Sequence, residues 1–228
     1  MDPDTCCFDE WARRNARRSS RGFDRRLGGA GSPVRQPRPG GVPRALLSEL
    51  ETVGLRGRAL LDVGCGVGNL GLDALRRGAA QVSGIDLSEV AIDAARARAR
   101  ELGVTPRSAW HVGNGAEDAL EPCDVVVLNQ MICCYPDAEQ LVTNTLAAAT
   151  RLYAFTVPES TGLRGALNRV ILAVENGIHR LLGHEFRPFV HDVRRIDRQL
   201  CAAGLSRVRH RTVHVVWHLA IYERALAA

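Results

Sequence analysis

Residues 60–68 read Leu60-Leu61-Asp62-Val63-Gly64-Cys65-Gly66-Val67-Gly68. A short apolar run ends in an acid and then in three glycines spaced two apart. Bounded in this way, the run predicts a β-strand that is covered on both faces and delivers the chain into a tight turn. A second apolar run, Gln81–Asp86, ends in an acid. Successive glycines let backbone N–H groups approach a ligand closely, because no Cβ stands in the way. A helix beginning after the glycines adds its positive end. An acid at the end of strand two, about 20 residues after the loop, is placed to accept hydrogen bonds from ribose hydroxyls. The stretch therefore points to a nucleotide-type cofactor at the carboxyl edge of a parallel sheet.

Outward from the loop, helical and extended patterns alternate. The spacing predicts helices over Ala45–Thr52, Leu70–Arg77, Glu89–Leu102 with Ser88 as N-cap, Asp137–Thr150, Leu163–Leu182 and Ile196–Ala203. It predicts strands over Arg58–Val63, Gln81–Asp86, Arg107–Val112, Asp124–Asn129, Leu152–Val157, Ser206–Thr212 and His214–Glu223. This alternation implies an α/β, doubly wound, mostly parallel seven-stranded sheet. The last two strands are nearly contiguous, and a parallel crossover needs about a dozen residues, so one of them must run antiparallel.

The chain has 228 residues, enough for one domain with a substantial core. It contains no Lys, and its net charge of +5 is carried by residues 1–44, which hold ten Arg against five acids. Residues 45–228 are neutral. A nucleic-acid enzyme carries its basic surface on the folded body, so the nucleic-acid reading is disfavoured. Residues 8–26 place Phe8, Trp11, Ala12 and Ala16 at helical spacing with arginines on the other face, the pattern of a basic helix or a lid. Residues 28–43 are rich in Gly and Pro and read as a linker. No run of apolar residues is long enough for a membrane span, no secretory signal is expected, and the seven cysteines read as reduced cytoplasmic thiols. The vicinal pairs Cys6-Cys7 and Cys133-Cys134 would bind a metal only if they met in space, and the reading finds no metal-ligand set.

Gly66-Val67-Gly68-Asn69-Leu70-Gly71 formally matches the dinucleotide pattern. Asp62 argues against it, because an acid just before the glycines would repel a pyrophosphate but can face the amino-acid end of S-adenosylmethionine. With Asp62, Gly64, Gly66 and Gly68 as the first motif and Asp86 as the ribose acid, residues 45–223 resemble the class I S-adenosylmethionine-dependent methyltransferases. The segment Cys133-Cys134-Tyr135-Pro136 after strand four resembles a bacterial subgroup of that family, as do Cys6-Cys7 and Phe189-Val190-His191. Magnesium-protoporphyrin O-methyltransferases share the layout more distantly.

The resemblance implies a fold with an antiparallel last strand and S-adenosyl-L-methionine as cofactor, leaving as S-adenosyl-L-homocysteine. It implies cofactor contacts from Asp62, Gly64, Cys65, Gly66 and Gly68, from Asp86 and Leu87, from Asn114, Gly115 and Ala116, and from Asn129 and Gln130. Asn114 stands where the family usually has an acid near the adenine amino group, and its amide oxygen can still accept that hydrogen bond. The expected activity is methyl transfer to a small apolar or aromatic molecule, with a nucleic-acid or magnesium-porphyrin acceptor as alternatives. Tyr135 and His191 are the candidates for proton handling or substrate contact. Trp11, Met131, Cys134 and Phe189 are candidates for the acceptor wall, under a covering helical segment near 158–195. The apolar stretch Leu163–Leu182 reads either as a buried or homodimer helix, or as a wall for a hydrophobic acceptor.

Overall fold

The computed structural model describes Arg21 and residues 41–182, 188–214 and 216–225. The basic helix expected over 8–26, with Trp11 and Cys6-Cys7, lies outside the described residues.

The chain opens with α1 (Val42–Val53), which starts three residues earlier than its apolar spacing suggests because Pro43 fits the first helical turn. The linker read over 28–43 therefore runs into a helix. Val42, Leu46, Leu47 and Leu50 form its buried face, and Gly54 ends it in a left-handed conformation that its φ of 114° requires. There follow β1 (Ala59–Val63), α2 (Asn69–Arg76), β2 (Gln81–Asp86), α3 (Glu89–Glu101), β3 (Ser108–Val112), β4 (Cys123–Asn129), α4 (Ala138–Ala148), β5 (Ala149–Pro158), α5 (Gly162–Leu181), α6 (Val193–Ala202), β6 (Leu205–Val213) and β7 (Trp217–Arg224).

Seven strands form one sheet in the order β3-β2-β1-β4-β5-β7-β6. Strands β1 to β5 pair in parallel. Strand β7 enters between β5 and β6 and is antiparallel to both. Helices cover both faces, and β4 shows why its apolar run is uninterrupted. Val125 and Val127 join a core with α1, α2 and α3, whereas Val126 and Leu128 join a second core with α4 and α6. Ser88 caps α3 by accepting from the Ala91 N–H at 3.0 Å. Asp137, expected inside α4, is its cap and accepts from Gln140 at 2.9 Å.

Helix α5 corrects one expectation. It forms as a 20-residue helix, but only Gly165, Asn168 and His179 are buried. Leu163, Leu167, Val170, Ile171, Val174, Ile178 and Leu181 are exposed, so α5 is not a core helix. No helix among the described residues is long and apolar enough to cross a membrane.

Candidate active site

The parallel register brings the expected loop residues to one edge of the sheet. Asp62 at the end of β1 lies between Gly84 of β2 and Val127 of β4. The following turn is held by the Gly64 and Cys65 N–H groups, which donate to the Ile85 carbonyl at 2.8 and 3.2 Å. Gly64, Gly66 and Gly68 all have positive φ, of 71°, 52° and 75°. A Cβ on Gly64 would overlap the Met131 side chain, and one on Gly68 would meet Trp110 at 2.8 Å. Glycine is needed at both for backbone conformation and for space.

Asp86 does more than end β2. One carboxylate oxygen accepts from the Gly66 N–H at 2.8 Å and the other from the Ser88 N–H at 2.9 Å. The residue expected to meet a ribose thus also ties the glycine loop to the start of α3. Leu87 is half-buried between them. Cys65 is buried, and burial together with Asp62 and Asp86 pushes its thiol well up, so it stays protonated and packs.

Asp62 is almost fully buried, and its Oδ2 has no hydrogen-bond partner among the described residues. Burial pushes its pKa up to about 7, helped by the Asp86 charge and opposed by the Gly71 N–H. A buried carboxyl that is half-ionised near neutral pH and has a vacant acceptor marks a site that gains from a cationic ligand group.

The loop after β3 folds back on itself. Asn114 accepts the Ala116 N–H through its side-chain oxygen at 3.1 Å, and its amide donates to the Tyr135 hydroxyl at 3.4 Å. Gly115 admits no side chain, because a Cβ would run into Val63. Asn144 of α4 fastens this loop by donating to the Gly115 and Asp118 carbonyls, both at 2.9 Å.

After β4, Asn129 and Gln130 are held by a residue the sequence reading missed. The Thr156 hydroxyl donates to the Asn129 amide oxygen at 3.0 Å and accepts from the Gln130 N–H at 2.8 Å. Gln130 has a φ of 54°, uncommon for a non-glycine residue and a strain that functional sites tolerate. Thr156 sits within an apolar strand run, and its partners lie 26 and 27 residues away in the chain. Only the pairing of β4 with β5 reveals it.

Tyr135 and His191 meet through the Tyr135 backbone. Tyr135 is fully buried in the core beside α4. His191 Nε2 is 2.9 Å from the Tyr135 carbonyl oxygen, to which it donates. Burial lowers the His191 pKa, while the carbonyls of Tyr135 and Ile132 pull it up. Phe189 stacks on His191 at 5.8 Å, and its N–H donates to the Cys133 carbonyl at 2.7 Å. The geometry clamps the turn after β4 to the segment before α6. Cys133 and Cys134 both direct their thiols to the Gln130 carbonyl, at 3.6 and 3.5 Å. They brace the turn, and the neighbouring Cys134 thiol and burial push Cys133 up and away from thiolate chemistry.

At the end of β5, Glu159 and His218 form a buried pair 3.4 Å apart, also missed from the sequence. Burial would raise the Glu159 carboxyl, but the hydroxyl and N–H of Thr161 hold it below its ordinary value. His111 and His214 are exposed.

A methyltransferase-domain family profile matches residues 60–152. Over 83 residues the chain is 40% identical to ribosomal protein L11 methyltransferase of Enterobacter sp. strain 638, a match spanning 36% of this chain and 28% of that protein. Magnesium protoporphyrin IX methyltransferase of Synechocystis PCC 6803, solved with S-adenosylhomocysteine, superposes with a TM-score of 0.68 at 22% identity, covering 91% of this chain and 96% of that one. Geranyl diphosphate C-methyltransferase of Streptomyces coelicolor A3(2), solved with Mg2+, geranyl diphosphate and S-adenosylhomocysteine, gives 0.60 at 16% identity over 80% of this chain and 77% of that one. Residues 60–152 thus match a methyltransferase domain, and the sheet order is that of a fold shared with solved S-adenosylmethionine-dependent methyltransferases.

Proposed function

We propose that this chain transfers a methyl group from S-adenosylmethionine to a small apolar or aromatic acceptor. The observation that carries the reading is the buried Asp62 carboxyl with its vacant Oδ2 beside a glycine loop tied to Asp86. An incoming ammonium or sulfonium would satisfy Asp62, whereas a pyrophosphate would be repelled by it. When bound, the cofactor supplies a methyl carbon activated by its positive sulfur.

The protein's own share is placement. Gly64, Gly66 and Gly68 keep the loop open to close approach, Asp86 takes the ribose hydroxyls, and Asn114 to Ala116 border the base. Asn129 and Gln130, fixed by Thr156, face the transferring group, with Met131 beside Gly64. In-line transfer forms the acceptor–carbon bond as the carbon–sulfur bond breaks, so alignment and exclusion of water dominate the rate. Any acceptor proton leaves to solvent or to an adjacent base. His191 is assigned as a positioning residue, because its Nε2 holds the Tyr135 carbonyl.

Two features support a small acceptor. The body of residues 45–228 is neutral, and α5 presents an apolar stripe linked to the site through Asn176, which donates to the Pro188 carbonyl at 3.0 Å. The likeness to the ribosomal protein methyltransferase spans too little of that protein to carry its acceptor over. A magnesium porphyrin is the second reading, favoured by near end-to-end superposition on the protoporphyrin enzyme.

Calorimetric titration with S-adenosylhomocysteine should give a saturable complex, and titration with a nicotinamide dinucleotide none. Asp86→Ala should weaken the former about 10- to 100-fold, the range for hydrogen bonds to a charged group. Methyl-labelled S-adenosylmethionine should pass label into organic-soluble acceptors. Dinucleotide binding without S-adenosylhomocysteine binding would overturn the donor, and label confined to protein or RNA would overturn the acceptor class.

A further inference from the structure

Glu159 and His218 are 59 positions apart in the chain, yet the fold brings them and His210 together, with one ligand-type atom from each within 4.8 Å of the others. They come from three paired segments. Glu159 follows β5, His210 lies in β6 and His218 in β7. The β6–β7 register sets His210 opposite Ala220 and His218 opposite Thr212, so both imidazoles project from the same face of the sheet. Their ring centroids are 4.5 Å apart.

Each buried group is already oriented. Glu159 Oε1 accepts from the Ser160 N–H, the Thr161 N–H and the Thr161 hydroxyl at 3.0, 3.0 and 2.8 Å. That fixes the carboxylate and leaves Oε2 turned to His218. The His218 ring stacks on Phe155 at 5.9 Å. A carboxylate whose far oxygen is saturated by neighbouring donors is the arrangement in which metal-ligating carboxylates are held.

Two observations go beyond clustering. First, the Nδ1 to Oε2 separation is 3.4 Å, longer than the usual N–H···O range of about 2.7–3.2 Å. Two ligands about 2.0–2.1 Å from a tetrahedral zinc are about 3.3 Å apart. Second, His218 is almost fully buried and its Nε2 has no hydrogen-bond partner among the described residues, an uncommon condition for a buried imidazole. With the ring proton on Nε2, Nδ1 keeps its lone pair turned towards Oε2, where a metal would sit. A hydrogen-bonded pair alone does not explain the placement of a second imidazole against the first.

We propose that Glu159, His210 and His218 form a binding site for a borderline divalent metal, zinc foremost. Two imidazoles and one carboxylate suit zinc rather than magnesium or calcium, which prefer all-oxygen shells. His210 is exposed, so the fourth position is open to water. The metal would pin the β6–β7 hairpin to the end of β5 and to the turn that starts α5. The site uses none of the residues assigned to the cofactor cradle, so it stands or falls independently of the methyltransferase reading.

The untagged 228-residue chain, stripped with a chelator and dialysed, would be titrated with cobalt(II) and zinc. The expected result is one equivalent of cobalt per chain with visible d–d bands of tetrahedral intensity, displaced by zinc, and a higher melting temperature with zinc present. His210→Ala should weaken binding about 100-fold, at or above the loss seen when outer partners of metal sites are removed. Its metal-free melting temperature and its affinity for S-adenosylhomocysteine should stay at wild-type values, which shows that the variant folds. Glu159→Gln should also weaken the metal. Equal cobalt affinity in wild type and His210→Ala would overturn the proposal. So would a sulfur-to-cobalt charge-transfer band that vanishes in Cys133→Ser/Cys134→Ser, because it would place the metal on thiolates.

Discussion

On the proposed function, Asp62 is the residue on which donor binding and stability pull in opposite directions. Its carboxyl has a reference pKa of 3.8 and is pushed to about 7 in the fold, burial being the main cause. Between those two pH values the folded chain holds a proton that the unfolded chain has lost. The unfolding free energy therefore falls as pH rises through this window, and the loss is complete above about 7. Asp62→Asn removes the ionisation, so its melting temperature relative to wild type should climb from pH 4 to pH 8. Wild-type affinity for S-adenosylhomocysteine should rise through pH 7 as the carboxyl ionises to meet the ammonium, and the Asp62→Asn protein should bind more weakly with a flat profile. A flat wild-type profile would remove Asp62 from the amino-acid end of the cofactor. At this scale much was legible, because Asp62, the glycines and Asp86 are adjacent or one strand apart. Thr156, Glu159 and His218 were not, since their partners are fixed only by strand pairing.

Among elements, β4 and β5 depend on each other at their carboxyl ends. The Thr156 hydroxyl holds both the side chain of Asn129 and the strained backbone of Gln130. Thr156→Val keeps the shape and removes the hydroxyl. It should cost about 1–3 kcal/mol in chemical denaturation, the range for stranding buried polar partners. It should also raise the dissociation constant for S-adenosylhomocysteine, whereas an unchanged constant would separate Asn129 and Gln130 from the cofactor. The elements themselves were readable from alternation and caps, with boundaries shifted by a few residues. Helix α5 shows the limit. Leu167, Val170, Ile171, Val174 and Ile178 repeat at helical spacing, and that pattern is the same whether the stripe meets a core or faces outward. Only the packing of the other helices decides, and α4 and α6 already fill that face of the sheet.

For the molecule as a whole, sheet order separates two halves with different assembly histories. Strands β1 to β5 are complete in sequence by residue 158, and each after β1 pairs with a strand already made. Strand β6 then has to stand off, because the position beside β5 belongs to β7. Along its length β5 is matched by β7 from Leu152 with Glu223 to Pro158 with Trp217. A chain stopped before residue 217 should therefore be found in the insoluble fraction on expression, and soluble, monodisperse material would contradict this. The physical reason is that β5 would be left with unpaired backbone donors along an apolar strand, the template on which other chains add. During synthesis the same exposure lasts until residue 224 has cleared the ribosome. Translation speed through the final stretch, and any chaperone able to shield a strand edge, thus become determinants of how much folded protein a cell obtains.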